Sequence, residues 1–235
     1  LPFLCEDRTQ AERLVNSEFA REISMDSLKS GATILGIGDA GGFRQFSNSV
    51  RMIRRPEDLR GLKMRSNGMD TINKTLEALG AEVMTVPYND LYMALKAGTI
   101  DGQENPWVNS SGMRFYEVQK YFTEVNYQFH PEPFYVNTRW YESLPSEYQE
   151  ILAECTEEMM KENNRLIDEN EVQAMENIRA NAEIYTLSRE ERQAFVEATQ
   201  VVYEEYMENG LLTRDELARM KRIIRGEEEQ DYPYR

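Results

Sequence analysis

The sequence predicts an α/β fold with a largely parallel sheet, and three observations predict it. Strand-length and helix-length segments alternate between residues 31 and 106, each helix closing on a glycine. The apolar runs are short, as in Ala32-Thr-Ile-Leu-Gly-Ile-Gly38, and none approaches the ~18 residues of a membrane span. One helical pattern, from Leu144 to about Asn181, extends for about 35 residues or about 50 Å, more than one small lobe can hold.

The elements follow in order. Leu14, Val15, Phe19, Ile23 and Leu28 keep helical spacing, so a helix is expected over 9–29 with Gly31 closing it. Thr33 to Ile37 reads as a buried strand, Asp39-Ala-Gly-Gly42 as a flexible junction and Phe43-Arg-Gln-Phe46 as a second short strand. Pro56-Glu-Asp-Leu59 opens a helical turn, and Leu62-Lys-Met-Arg65 is a strand. Helices over 69–79 and 89–96 flank a strand at Glu82 to Val86. Ile100 to Asn105 is a strand that runs into a helix after Pro106. The Tyr-, Phe- and Val-rich stretch 122–137, broken by Pro131 and Pro133, reads as two strands joined by a bend. In the long helix Leu152, Cys155, Met159 and Leu166 form an apolar stripe that Asn163 and Asn170 interrupt, which fits a strut better than a coiled coil. Glu183 to Leu187 is a last strand, and Ser188-Arg-Glu-Glu191 and Thr213-Arg-Asp-Glu216 are capping boxes of two further helices. The tail 227–235 is polar.

The 235 residues carry 27 basic and 42 acidic side chains, a formal charge of −15. That balance argues against a general nucleic-acid binder. Residues 145–235 hold 23 acidic and 11 basic side chains, so most of the negative charge lies there. The first part holds a basic island instead: Arg44, Arg51, Arg54, Arg55, Arg60, Lys63 and Arg65. Most of it reads as solvated surface. Arg44 and Arg65 differ, because each sits in or beside an apolar, strand-like run.

Several chemistries find no support. One histidine, His130, and two distant cysteines without a CxxC give no metal site, and no cofactor is expected. Cys5 and Cys155 could pair, though two buried thiols are favoured. Gly36-Ile-Gly38-Asp-Ala-Gly41 spells a dinucleotide motif but continues into a strand-like run, not a helix. No GxSxG is present. A carboxylate pair, Asp101 with Glu104, leaves room for an enzyme acting on acidic sugars. The remaining chemistry is recognition of a small anion, for which an arginine fork at a strand end is suited. Arg65, Arg44 and the strand end Asp101-Gly-Gln-Glu-Asn105 can converge for that task.

Pro56-Glu-Asp-Leu-Arg-Gly-Leu-Lys-Met-Arg65, Leu79-Gly-Ala81, Tyr88-Asn-Asp-Leu-Tyr-Met-Ala-Leu-Lys-Ala-Gly98, Asp101-Gly-Gln-Glu-Asn-Pro106 and Phe115-Tyr-Glu-Val-Gln-Lys-Tyr121, with Gly42-Phe-Arg-Gln-Phe46 and Trp140-Tyr-Glu-Ser-Leu-Pro145, closely resemble the solute-binding subunits of TRAP (tripartite ATP-independent periplasmic) transporters. The resemblance runs from residue 1 to about 225. It implies a two-lobe periplasmic-binding-protein-like fold with hinge strands and a long helix spanning both lobes. The lobes would be 1–41 with 129–168, and 42–128 with 169–226. It implies an extracytoplasmic, non-enzymatic binding protein, expected as a monomer, whose cleft closes on an organic acid and delivers it to membrane permease subunits. Arg65 would hold the carboxylate. Arg44 matches the family's second arginine, Asn105 its asparagine, and Tyr88 an aromatic position that packs on the ligand. The Gly42-Phe-Arg-Gln-Phe46 wording and the polar neighbours Gln45, Asn67 and Gln103 favour a sugar acid such as a uronate or aldonate, with dicarboxylates, keto acids and sialic acids as alternatives. The family's leader and opening βαβ units are absent from the sequence, and Asn126-Tyr-Gln-Phe-His130 departs from the commoner family wording.

Overall fold

The computed structural model describes residues 1–228. The chain is α/β and forms two compact units. The first comprises Leu1–Leu4, Phe43–Gln128 and Glu171–Arg214; the second comprises Cys5–Gly42, Phe129–Asn170 and the chain from Asp215 onward. Six strands form one sheet: β1 (Ala32–Asn48), β2 (Lys63–Ser66), β3 (Glu82–Thr85), β4 (Gly102–Pro106), β5 (Tyr121–Asn137) and β6 (Glu183–Thr186), in the order β3-β2-β4-β1-β5-β6. Pairs β2·β3, β2·β4 and β5·β6 are parallel, as the alternation predicts. The β1·β4 pair is antiparallel, with Gln45 opposite Asn105 and Ser47 opposite Gln103.

In the first unit the helices are α3 (Asp70–Ala78), α4 (Tyr88–Ala97), α5 (Trp107–Gly112), α8 (Arg189–Ala198) and α9 (Gln200–Glu208), with a 3₁₀ turn at Pro56–Leu59. Ile72 and Leu76 of α3 and Leu79, its C-cap, join Phe46, Leu59, Leu62, Met64, Tyr127 and Phe195 in the main core. Each such side chain contributes roughly 1.5–3 kcal/mol by leaving water. Leu91 and Leu95 of α4 form a smaller core with Ile100 and Phe115. Met64 carries β2 into the main core, and Ile100 anchors the chain just before β4 in the smaller one. Ser188 and Glu191 form the expected capping box of α8.

The second unit holds α1 (Arg8–Val15), α2 (Glu18–Met25), α6 (Thr138–Glu142), most of α7 (Ser146–Arg179) and α10 (Arg214–Ile224). The helix expected over 9–29 is two helices, because Ser17 leaves helical geometry and its hydroxyl accepts the Ala20 N–H at 3.2 Å as the N-cap of α2. The α7 helix has 34 residues, close to the length predicted. It lies tightly on β1: a Cβ on Gly38 would stand 2.5 Å from Met160 Sδ, and one on Gly36 would stand 2.9 Å from Thr156 Cγ2. Asn163 and Asn164 anchor the contact. Asn163 Nδ2 donates to the Asp39 carbonyl at 2.7 Å, and Asn164 Oδ1 accepts the Asp39 N–H at 3.1 Å. The asparagine that interrupts the stripe therefore bonds the strand.

Two strands differ from expectation. The junction 39–42 lies inside continuous β1, because the Asp39 carboxylate accepts the N–H groups of Gly41 and Gly42, which take φ of +124° and +89°. Pro131 and Pro133 likewise sit inside continuous β5, where residues 131–135 are exposed and an N–H is dispensable. Cys5 and Cys155 do not form a disulfide; Cys5 is buried, but Cys155 is exposed rather than buried. No helix among the described residues is long and apolar enough to cross a membrane. The polar tail expected over 227–235 lies, from residue 229 on, outside the described residues.

Candidate site around Arg65

The five residues singled out as ligand-binding all lie in the first unit: Arg44 on β1, Arg65 on β2, Gln103 and Asn105 on β4, and Tyr88 at the head of α4. Arg65 is near the carboxyl end of β2, held there by the parallel register with β3. Met64 pairs with Gly102, so Arg65 and Gln103, each one residue on, point to the same face of the sheet.

Arg65 is 3% exposed. Its Nε donates to the Val86 carbonyl at 2.8 Å, and its Cζ lies 5.8 Å from the Tyr88 ring centroid. Among the described residues no carboxylate lies within ion-pair distance of it. Burial pushes its pKa below the ordinary arginine value; the Glu104 charge works the other way and the Arg44 charge adds to the lowering. The guanidinium remains a buried cation without an ion-paired internal partner.

Tyr88 is half-buried. Its ring meets Phe115 edge-on, with centroids 6.3 Å apart, and its O–H reaches the Asn109 carbonyl at 3.4 Å. The tyrosine is thereby fixed beside Arg65 as a flat wall.

Arg44 is placed differently. Its side chain is 2% exposed and forms an ion pair with Glu104, which is fully buried. The Arg44 Nε and Nη2 both donate to the Glu104 carboxylate, the latter at 2.8 Å. Nη2 also reaches the Glu104 carbonyl at 2.9 Å and Asn105 Oδ1 at 3.3 Å. The Tyr127 O–H donates to the same carboxylate, and its ring stacks on Phe46 at 5.1 Å. Burial, the largest single influence, works to lower the Arg44 pKa, but the Glu104 and Tyr127 charges and their hydrogen bonds together outweigh it and the net direction is up. Tyr127 rises well above the ordinary phenol value, through burial first and the Glu104 charge second.

Gln103 is fully buried, and Asn105 nearly so; Asn105 Nδ2 donates to Gln103 Oε1 at 2.5 Å. Gln45 braces β1 against β5: its Oε1 accepts the N–H groups of Val125 and Asn126 at 2.8 and 3.0 Å. Asn67 is exposed and turns the backbone by accepting the Met69 N–H at 3.0 Å. The carboxylates considered for an enzyme are both engaged. Glu104 is held by Arg44 and Tyr127, and Asp101 accepts the Lys63 N–H at 2.8 Å.

Sequence reasoning did not pair Arg44 with Glu104, nor include Tyr127, Ser47 or Gln119. A usable signal was present. A carboxylate inside a strand flanked by Gln103, Asn105 and Trp107 is in a buried setting, and a buried carboxylate needs a cation and hydrogen-bond donors.

Among the described residues the sheet thus carries a buried arginine with no ion-paired carboxylate near a strand end. This chain belongs to the bacterial extracellular solute-binding protein family 7 (DctP), whose model matches residues 1–209. A TRAP periplasmic solute-binding protein from Ralstonia eutropha H16, solved with bound (S)-2-acetolactate, has a TM-score of 0.89 and 31% identity over 96% of this chain and 73% of that one. One from Sulfitobacter sp. NAS-14.1, solved with β-D-galacturonate, has a TM-score of 0.86 and 26% identity over 96% of this chain and 73% of that one. The C4-dicarboxylate-binding periplasmic protein DctP of Vibrio cholerae is 30% identical over 210 residues, 88% of this chain and 62% of that protein. This chain spans about half to three fifths of the length of the curated relatives it matches.

Proposed function

We propose that the chain is part of an extracytoplasmic receptor of a TRAP transporter, which binds an organic acid without turning it over and hands it to membrane permease subunits. One observation carries the reading: Arg65 is a buried guanidinium with no ion-paired carboxylate among the described residues. Taking a cation out of water is costly, and an anion entering from outside offsets that cost through two parallel charge-assisted hydrogen bonds. Arg65 takes the carboxylate and Tyr88 covers it. Asn105, backed by Gln103 and Arg44, addresses the oxygen next to the carboxylate. The polar side chains lining β1 and β4 favour a sugar acid, a uronate or an aldonate, over an acid with an apolar tail. The acids bound in the related structures, galacturonate and acetolactate, support the carboxylate as the common element.

A thermal-shift series with D-galacturonate, D-gluconate, succinate and 2-acetolactate tests this reading. At about a hundred times Kd a bound acid adds about 2.7 kcal/mol, or roughly 5–10 °C of Tm for a chain of this size. The methyl ester of the same acid should give no shift. Equal shifts with acid and ester, or none with any acid, would refute it.

A further inference from the structure

The solute site leaves most of the basic island unused: Arg51, Arg54, Arg55, Arg60 and Lys63, all in the first unit. In a chain of net charge −15, residues 51–63 hold these five cations against two acids, Glu57 and Asp58. Arg54, Arg55, Arg60 and Lys63 are exposed. Asp58 knits the segment together but spends its carboxylate largely on backbone, where Oδ2 accepts the N–H groups of Arg54 and Arg55 at 2.9 and 3.1 Å. Asp101 does the same for the Lys63 N–H at 2.8 Å. The Arg51 guanidinium bonds the carbonyls of Asp58 and Arg60, each at 2.7 Å, and is fixed beside Arg60. Arg54 lies over the Tyr185 ring, 4.5 Å from its centroid. Glu191, the acid that the Tyr185 O–H reaches, also accepts the Ser188 N–H.

The acids around the island are thus engaged by N–H and O–H groups, and the cations stay largely uncompensated. Arg55 meets Asp58 at 3.5 Å, whereas Arg51, Arg54, Arg60 and Lys63 have no ion-paired carboxylate among the described residues. On α7, by contrast, Lys161 pairs with Glu157, and Arg165 with Glu162 and Glu169. Guanidinium forks match the oxygens of a phosphodiester. A protein partner would need an apolar or aromatic centre to the patch. The exposed large apolar side chain of this segment is Val50, at its end. A broad cationic surface without such a centre fits a layer of anionic headgroups.

We propose that Arg51, Arg54, Arg55, Arg60 and Lys63 form a docking surface for anionic phospholipid headgroups, which holds the receptor against the membrane where its permease lies. The proposal rests on the reading of the chain as the receptor of a membrane transporter.

The test is co-sedimentation with vesicles of phosphatidylglycerol and phosphatidylcholine in equal parts, and with phosphatidylcholine alone. At about 50 mM salt the chain should sediment with the mixed vesicles only, and about 0.5 M salt, which screens exposed charges within roughly 4 Å, should release it. Arg54→Gln combined with Arg60→Gln should weaken partitioning about 25-fold, about fivefold for each cation. Lys161→Gln combined with Arg165→Gln makes the same change of charge on α7 and should weaken it less than twofold. If Arg54→Gln unfolds the chain by uncovering Tyr185, Arg55→Gln combined with Arg60→Gln carries the same comparison. Equal losses in the two double variants, equal binding to both kinds of vesicle, or no sedimentation at all would overturn the proposal. Binding to poly-L-glutamate without binding to vesicles would assign the surface to an acidic protein instead, and a Tm rise with inorganic phosphate without vesicle binding would assign it to a soluble anion; either overturns it. The Tm shift with D-galacturonate reads the receptor function separately. It should be the same in the parent and both double variants, and its absence alongside intact vesicle binding would refute that reading and not the lipid surface.

Discussion

The Arg65 guanidinium lies beside the Tyr88 ring, 5.8 Å from its centroid, and meets no carboxylate among the described residues. Its Nε is used by the Val86 carbonyl. The neighbouring Arg44 shows the opposite solution, a cation closed by Glu104. Two arginines of one sheet thus differ: one is balanced by an internal carboxylate, and the other, among the described residues, is not, which is the feature the proposed anion site uses.

For Arg65 the expected outcome of truncation is therefore loss of binding, not of fold. Arg65→Ala should weaken D-galacturonate or D-gluconate at least a hundredfold by calorimetry, the equivalent of about 2.7 kcal/mol. Arg65→Lys should recover little of it, since a point charge does not replace a planar fork. Removing an unpaired buried cation should leave Tm unchanged or raise it. A lowered Tm with unchanged affinity would assign Arg65 a structural role instead.

Glu104 predicts the reverse pattern. Glu104→Gln strands the buried Arg44 charge and should cost roughly 3–5 kcal/mol, read as a lower urea midpoint. Tyr127→Phe removes one donor to the same carboxylate and should cost about 1–3 kcal/mol. If Glu104→Gln is as stable as the parent, the ion pair does not hold the sheet.

Gly102 should not tolerate a methyl group. A Cβ there would stand 2.3 Å from the Ser47 carbonyl oxygen and 2.7 Å from Met64 Sδ, and backbone cannot yield cheaply. Gly102→Ala should lower stability by about 1–3 kcal/mol or more, whereas Gly112→Ala, with nothing within 4 Å, should be neutral or slightly stabilising. Comparable urea midpoints for the two variants would contradict the close approach of β1 and β4.

The two thiols should separate by reactivity. Cys155 is exposed and should react with a disulfide reagent at the rate of an accessible thiol, and Cys5 only on unfolding. Burial raises the Cys5 pKa from 9.0 to about 11. A raised thiol pKa means the folded chain holds its proton longer. The stability linked to it is therefore full below pH 9 and falls between pH 9 and about 11. Cys5→Ala should flatten that part of the stability–pH curve. Two equally fast thiols in the native chain would show that Cys5 is accessible.

The fold was legible where periodicity and capping agree. The alternation placed α3 at 69–79, Ser188 with Glu191 marked the start of α8, and the spacing through Leu166 marked α7. It was less legible where a tertiary contact overrides a local breaker. Gly41 and Gly42 stay in β1 because Asp39 satisfies their N–H groups, and the prolines stay in β5 because their positions are exposed. Of the candidate site, Arg65 stood out in the sequence because an arginine at the end of an apolar strand has little structural reason to be there, and the structure shows it buried beside Tyr88. The pairing of Arg44 with Glu104 did not, because the two are 60 residues apart and meet only through the β1·β4 register.

The central claim is that Arg65 grips an anionic solute, and a crystal structure of the chain with the acid that raises its Tm most tests it most directly. The account predicts two N–H···O contacts from the Arg65 guanidinium to one carboxylate, each about 2.7–2.9 Å, with the Tyr88 ring against the solute. A carboxylate bound elsewhere, with Arg65 turned to solvent or closed onto an internal acid, would contradict it.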